Sequence, residues 1–136
     1  MILTLIEHYR GVINPYSLQL LTFARNIAAK DNMPHKTILI GHNIQKLALE
    51  LNTYDLDGIF LIQDERMANY NAEIFAEVAI QLVEAIKPTI IMTAATEKGN
   101  EVLSHIGARL GLPMSANTSD IQLGDKNKLI RYRWGS

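Results

Sequence analysis

Short apolar runs without alternation recur along this chain, each followed by a longer stretch whose apolar residues return every three or four positions. The runs lie at Ile2 to Ile6, Lys36 to Ile40, Gly58 to Ile62 and Thr89 to Thr93. Runs that short, rich in β-branched residues and apolar on both sides, predict strands covered on both faces, as in a parallel sheet. The stretches between them predict helices. Asn14-Pro15 opens the first with a cap and a proline at the first helical position; Leu18, Leu21, Ala24, Ile27 and Ala28 form its stripe. A shorter helix covers Ile44 to Leu51, with Asn43 as cap. A third runs from about Tyr70 to Ile86 with the stripe Ile74, Phe75, Val78, Ala79, Leu82 and Ile86. The fourth carries Val102, Leu103, Ile106 and Leu110, ends at Gly111 in a left-handed conformation and is stopped by Pro113.

Four strands alternating with four helices predict an α/β protein: a three-layer α/β/α sandwich around a mostly parallel, Rossmann-like sheet with right-handed crossovers. The expected strand order is 3-2-1-4-5. The fifth strand is expected from Ser115 to Leu123. After a turn at Gly124 to Asn127, Lys128 to Trp134 alternates and is expected to pair back antiparallel, with Ile130, Tyr132 and Trp134 on one face. That edge is the expected surface for self-association or for a partner.

Length then bounds the chain to one domain, 136 residues with a core of useful size. A net charge of −1, with no basic stripe interleaved with aromatics, argues against nucleic acid. No apolar run approaches membrane-spanning length, and the absence of cysteine excludes disulfides and thiol chemistry and fits a reducing cytoplasm. The four histidines share no metal-ligand spacing, and Asp64-Glu65-Arg66 reads as a solvated charge cluster. No nucleophile elbow, phosphate loop or dinucleotide fingerprint occurs, so no self-contained catalytic site is expected.

What remains is geometric. If the first and fourth strands are neighbours, the loops after them, Glu7 to Gly11 and Thr93 to Gly99, frame the crevice where open α/β sheets bind ligands. Ala94, Ala95, Thr96 and Gly99 are small, as close approach to a ligand or a tight strand–helix turn would each require. The candidate binding residues are Glu7, His8, Gly11, Thr93, Ala94, Thr96 and Gly99.

In their order, these residues resemble the N-terminal domain of electron-transfer flavoprotein α subunits. The likeness is carried by Glu7-His8, Gly11, Pro15, Ser17 and Leu20-Leu21, then by Gly41, and by Tyr70, Glu73 and Ala76. It continues through Lys87-Pro88, Thr96, Gly99, Ala108-Arg109-Leu110 and Leu112-Pro113. The chain departs from the family pattern at Ala94-Ala95, at Asn100-Glu101 and at Asn117, which removes a positive charge from the crevice. The resemblance implies the scaffold part of an FAD-dependent electron carrier between dehydrogenases and a downstream acceptor, packed on a β-like subunit. It also implies that the FAD-binding C-terminal domain of the family has no counterpart in these residues, so that FAD would not be held tightly by this chain alone. The alternatives are a small adenine-nucleotide-binding or stress-response-like module, taking AMP in the crevice, and a pure interaction domain.

Overall fold

The computed structural model describes residues 1–112, 114–115 and 128–132, the last two stretches by their backbone. Its centre is β1 (Ile2–Leu5), which pairs in parallel with β4 (His35–Gly41) on one side and β6 (Ile90–Ala94) on the other. Between β1 and the first helix the chain makes a tight hairpin, β2 (His8–Tyr9) and β3 (Val12–Ile13). Arg10 and Gly11 at its tip both have positive φ, 49° and 78°. Two successive left-handed residues are the mark of a hairpin turn matched to strand twist, and a glycine at the second makes it cheap.

Helix α1 (Pro15–Lys30) leads to β4, then α2 (Gln45–Leu51), β5 (Gly58–Gln63), α3 (Ala72–Ile86), β6 and α4 (Glu97–Leu110). Two further strands, β7 (Met114–Ser115) and β8 (Lys128–Tyr132), complete a sheet of order β5-β4-β1-β6-β8-β7. The α/β class and the order of the first four expected strands hold. The C-terminal strand differs: β8 lies beside β6 and runs parallel to it, Ile90 opposite Lys128 and Ala94 opposite Tyr132. It is not an antiparallel return on a fifth strand; it takes the place expected of that strand, with β7 parallel outside it. Alternation in Lys128 to Trp134 specifies a strand but not its direction, which the crossover decides. Of the expected fifth strand, residues 116–123 lie outside the described residues, as does Trp134.

Strands β1, β4, β5 and β6 feed both layers. Leu3, Ile38, Ile40 and Ile91 face α3 and α4, where they meet Ala76, Ala79, Ile80, Val83, Leu103 and Ile106. Ile2, Ile90 and Met92 face α1, against Leu20, Ala24 and Ala28. Leu39 packs with Leu21, Leu47 and Leu51 between α1 and α2. The stripe of α3 is therefore rotated from the expected one: Ala72, Ala76, Ala79, Ile80 and Val83 are buried, while Ile74 is exposed. α3 is apolar over most of its circumference, so periodicity alone leaves the buried face undetermined. α2 also differs at its start. Asn43 has positive φ and caps nothing; the Gln63 side chain at the end of β5 accepts from the Ile44 N–H instead, at 3.0 Å.

Polar groups cluster in the sheet across β1 and β4. Thr4 and Thr37, opposite one another on β1 and β4, are fully buried with His35 beside them. The Thr37 hydroxyl donates to the Thr4 carbonyl and the Thr4 hydroxyl donates to Thr37 Oγ1, each at 2.9 Å. Thr4 Oγ1 has then spent its proton, so at 3.0 Å His35 Nε2 must donate to it. Nδ1 is left as a buried acceptor without a partner among the described residues. Burial accordingly lowers the His35 pKa to about 4, against a smaller opposing effect of the Asp57 carboxylate.

Candidate functional site

Strand order reverses between β1 and β6, and the loops at their C-terminal ends meet there. Glu7, His8, Thr93, Ala94, Thr96 and Gly99 line one crevice, floored by apolar side chains that include Ile38, Ile40 and Val102. Gly11 stands apart, in an adjoining cavity of about 280 Å³ that also reaches His42, Asn43 and Met67.

Glu7 is the junction of the crevice. Its backbone N–H donates to Ser17 Oγ at 2.9 Å and its carbonyl accepts from the Asn14 N–H at 2.9 Å. One carboxylate oxygen accepts from Asn14 Nδ2 at 2.6 Å, the other from the Thr96 hydroxyl at 2.5 Å. Asn14 and Thr96 are the N-caps of α1 and α4: Asn14 Oδ1 accepts from the Tyr16 N–H at 2.8 Å, and Thr96 Oγ1 from the Gly99 N–H at 3.0 Å. A single carboxylate thus joins the capping side chains of two helices, where each helix carries the positive end of its dipole.

His8 Nε2 donates to the Ile40 carbonyl at 2.7 Å, which fixes its tautomer and seats the ring over Gly41. A Cβ at Gly41 would stand 2.8 Å from the His8 ring, so a larger residue there would push that ring from its seat. Thr93 Oγ1 is buried on β6 and has no hydrogen-bond partner among the described residues.

The mouth is crossed by side chains that sequence reasoning did not assign to the site. Lys98 Nζ lies 5.0 Å from the Tyr9 ring centre and 4.9 Å from that of Tyr70, a cation held by two aromatic faces. The Tyr70 hydroxyl reaches Glu101 Oε2 at 3.2 Å and its ring meets Phe75 edge-on, centres 5.4 Å apart. Burial and then the Glu101 carboxylate, with a lesser push from Glu7, hold the Tyr70 hydroxyl well above the usual phenol pKa. Tyr70 lies in the loop before α3 and Lys98 in the first turn of α4, and no spacing in the sequence connects them. Asn14 was legible as a cap but not as a ligand of Glu7.

The arrangement offers little chemistry. The free volume in the crevice is about 60 Å³. Ligand pockets run to roughly 300–1,000 Å³. No group of three or more His, Asp or Glu among the described residues is placed to hold a metal. Asp64 and Arg66 form an exposed ion pair at 2.7 Å, as the solvated-cluster reading expected, and the hydrogen bonds from Arg66 lower the Asp64 pKa to about 2. Among the described residues no helix is long and apolar enough to cross a membrane.

Curated relatives match nearly all of the chain. It is 27% identical over 128 residues to the lactate dehydrogenase (NAD(+),ferredoxin) subunit LctC of Acetobacterium woodii, covering 94% of this chain and 31% of that protein. It is 25% identical to the electron transfer flavoprotein subunit alpha of Thermoanaerobacterium thermosaccharolyticum, covering 93% of this chain and 38% of the relative. Protein FixB of Bradyrhizobium diazoefficiens is 23% identical, with 94% and 36% covered. The chain therefore spans about a third of the length of these relatives. The model of the electron transfer flavoprotein domain matches residues 2–135. With β1, the Glu7 junction and the Thr96–Gly99 turn all inside that match, the chain belongs to the electron transfer flavoprotein domain family.

Proposed function

We propose that this domain is the scaffold part of an FAD-dependent electron carrier, working in the cytoplasm between dehydrogenases and a downstream acceptor. The family match over residues 2–135 carries the electron-transfer reading. The scaffold role is supported by the small size of the crevice. A free volume of about 60 Å³ is several-fold below that of ordinary ligand pockets, and the Glu7 carboxylate already contacts the Thr96 cap of α4, where a helix start favours an anion. Three of the candidate residues are engaged in holding the fold together: Glu7 and Thr96, with Asn14, tie α1 to α4, and His8 ties the hairpin to β4. In this reading they hold a rigid α/β unit for a β-like subunit to pack against, and the flavin is held by protein outside these residues.

The test is association. The chain, mixed with the β-type electron transfer flavoprotein subunit of the same genome, is run in sedimentation velocity at tens of micromolar. A one-to-one species supports the proposal. Two independent monomers, or a complex formed only by the chain with itself, would contradict it.

A further inference from the structure

Helix α4 begins at the crevice and α1 beside it, and both caps are turned toward the same Glu7 carboxylate. The first helical N–H groups of each helix have no intrahelical acceptor, so the ends carry partial positive charge. Ends of this kind attract anions, and at a strand-order reversal that anion is commonly a ligand. Here the negative group comes from the chain itself. Glu7 Oε2 is 2.6 Å from Asn14 Nδ2 and Oε1 is 2.5 Å from Thr96 Oγ1, which in turn accepts from the Gly99 N–H. A second feature shows that the position is built for polar contact. Thr93 Oγ1, in a residue 2% exposed, lines the same crevice and has no partner among the described residues. Gly99 leaves its α carbon bare against Thr93 Oγ1, which would stand 3.2 Å from an added Cβ.

We propose that the Glu7 carboxylate is an internal ligand of the joined α1 and α4 starts, an autoinhibitory contact that closes the crevice to external anions such as phosphate or carboxylate groups. The charge that would recognise such a group is already neutralised, and a second negative group would meet Glu7 at contact distance. Removing the carboxylate leaves two helix ends, two capping side chains and the Thr93 hydroxyl around an unfilled space. This inference goes beyond the scaffold role and does not depend on the β-like subunit or on flavin.

The experiment compares the full chain with Glu7→Ala in inorganic phosphate and in chloride of equal ionic strength, reading the melting midpoint. In 20 mM phosphate the variant should melt about 5 °C higher than in chloride, the response to a ligand of roughly millimolar affinity. Wild type should shift by less than about 1 °C. Acetate should act on the variant in the same direction. A folded Glu7→Ala protein with no anion response, or a wild-type response as large as the variant's, overturns the proposal. If Glu7→Ala does not fold, Glu7→Gln keeps the size and removes the charge. Its midpoint deficit against wild type should then shrink by about half or more between 0.02 and 0.5 M NaCl, because salt screens a charge–dipole contact. A deficit independent of salt would mean that the carboxylate acts only through its hydrogen bonds, and would likewise overturn it.

Discussion

Gly99 passes so close to Ala94 that a Cβ on it would stand 2.2 Å from the Ala94 carbonyl oxygen. Gly99 is in the first turn of α4, where glycine costs about 1 kcal/mol relative to alanine. It is kept because the helix starts directly on the end of β6. Gly99→Ala should therefore lower stability despite its better helix propensity, by about 2–3 kcal/mol, since a backbone oxygen cannot move aside as a side chain can. Urea unfolding reads this directly. An unchanged or raised midpoint would show that α4 can pivot away from β6.

The buried His35 makes stability pH-dependent. Its pKa falls from 6.5 in the unfolded chain to about 4 in the folded one. Between those values the unfolded state binds the proton and the folded state does not, so stability is full above pH 6.5 and is lost as pH falls toward 4. The loss should reach about 2–3 kcal/mol at pH 4. His35→Gln should flatten this part of the profile. A His35 ring signal that titrates near 6.5 in the folded protein would contradict the account.

The Tyr70 hydroxyl should ionise well above the ordinary phenol range, held there by burial and then by the Glu101 carboxylate. Ultraviolet titration of the folded protein should show one phenol still protonated at about pH 11, above the ordinary value near 10. That late phase should vanish in Tyr70→Phe. If the variant and wild-type curves differ only in the early phase, Tyr70 is exposed to solvent and does not cross the mouth of the crevice.

Helix α3 gives a packing prediction. Ile80 is 3% exposed and Ile74 is 41% exposed. Ile80→Ala should cost about 3 kcal/mol, whereas Ile74→Ala should cost less than about 1 kcal/mol. Equal losses would place the opposite face of α3 against the sheet.

The same helix marks where the sequence stops being legible. α1 and α4 have one apolar face each and explicit caps, Asn14-Pro15 at one start and Gly111 at one end, and their positions follow from those residues. α3 has Ile74, Phe75, Val78, Ile80, Leu82 and Val83 around most of its surface, so its orientation is settled by the fit of Ala76 and Ala79 beneath α4 and the sheet. The direction of β8 was hidden for a related reason: alternation is a property of one strand, and pairing is a property of two. At the site, the loops following β1 and β6 were legible because strand order alone brings them together. Tyr70 and Lys98 were not, because their approach depends on how the loop before α3 and the start of α4 meet across the crevice. Asn14 was read for its own helix, and nothing local indicates that its other end holds Glu7.

The central claim is that this domain supports an electron carrier without holding the flavin in its own crevice. The most direct measurement is flavin retention: the purified chain is saturated with FAD, desalted, and read by absorbance near 450 nm. The account predicts no retained flavin above a few per cent of the protein, in keeping with a crevice of about 60 Å³. Stoichiometric yellow protein after desalting would contradict it.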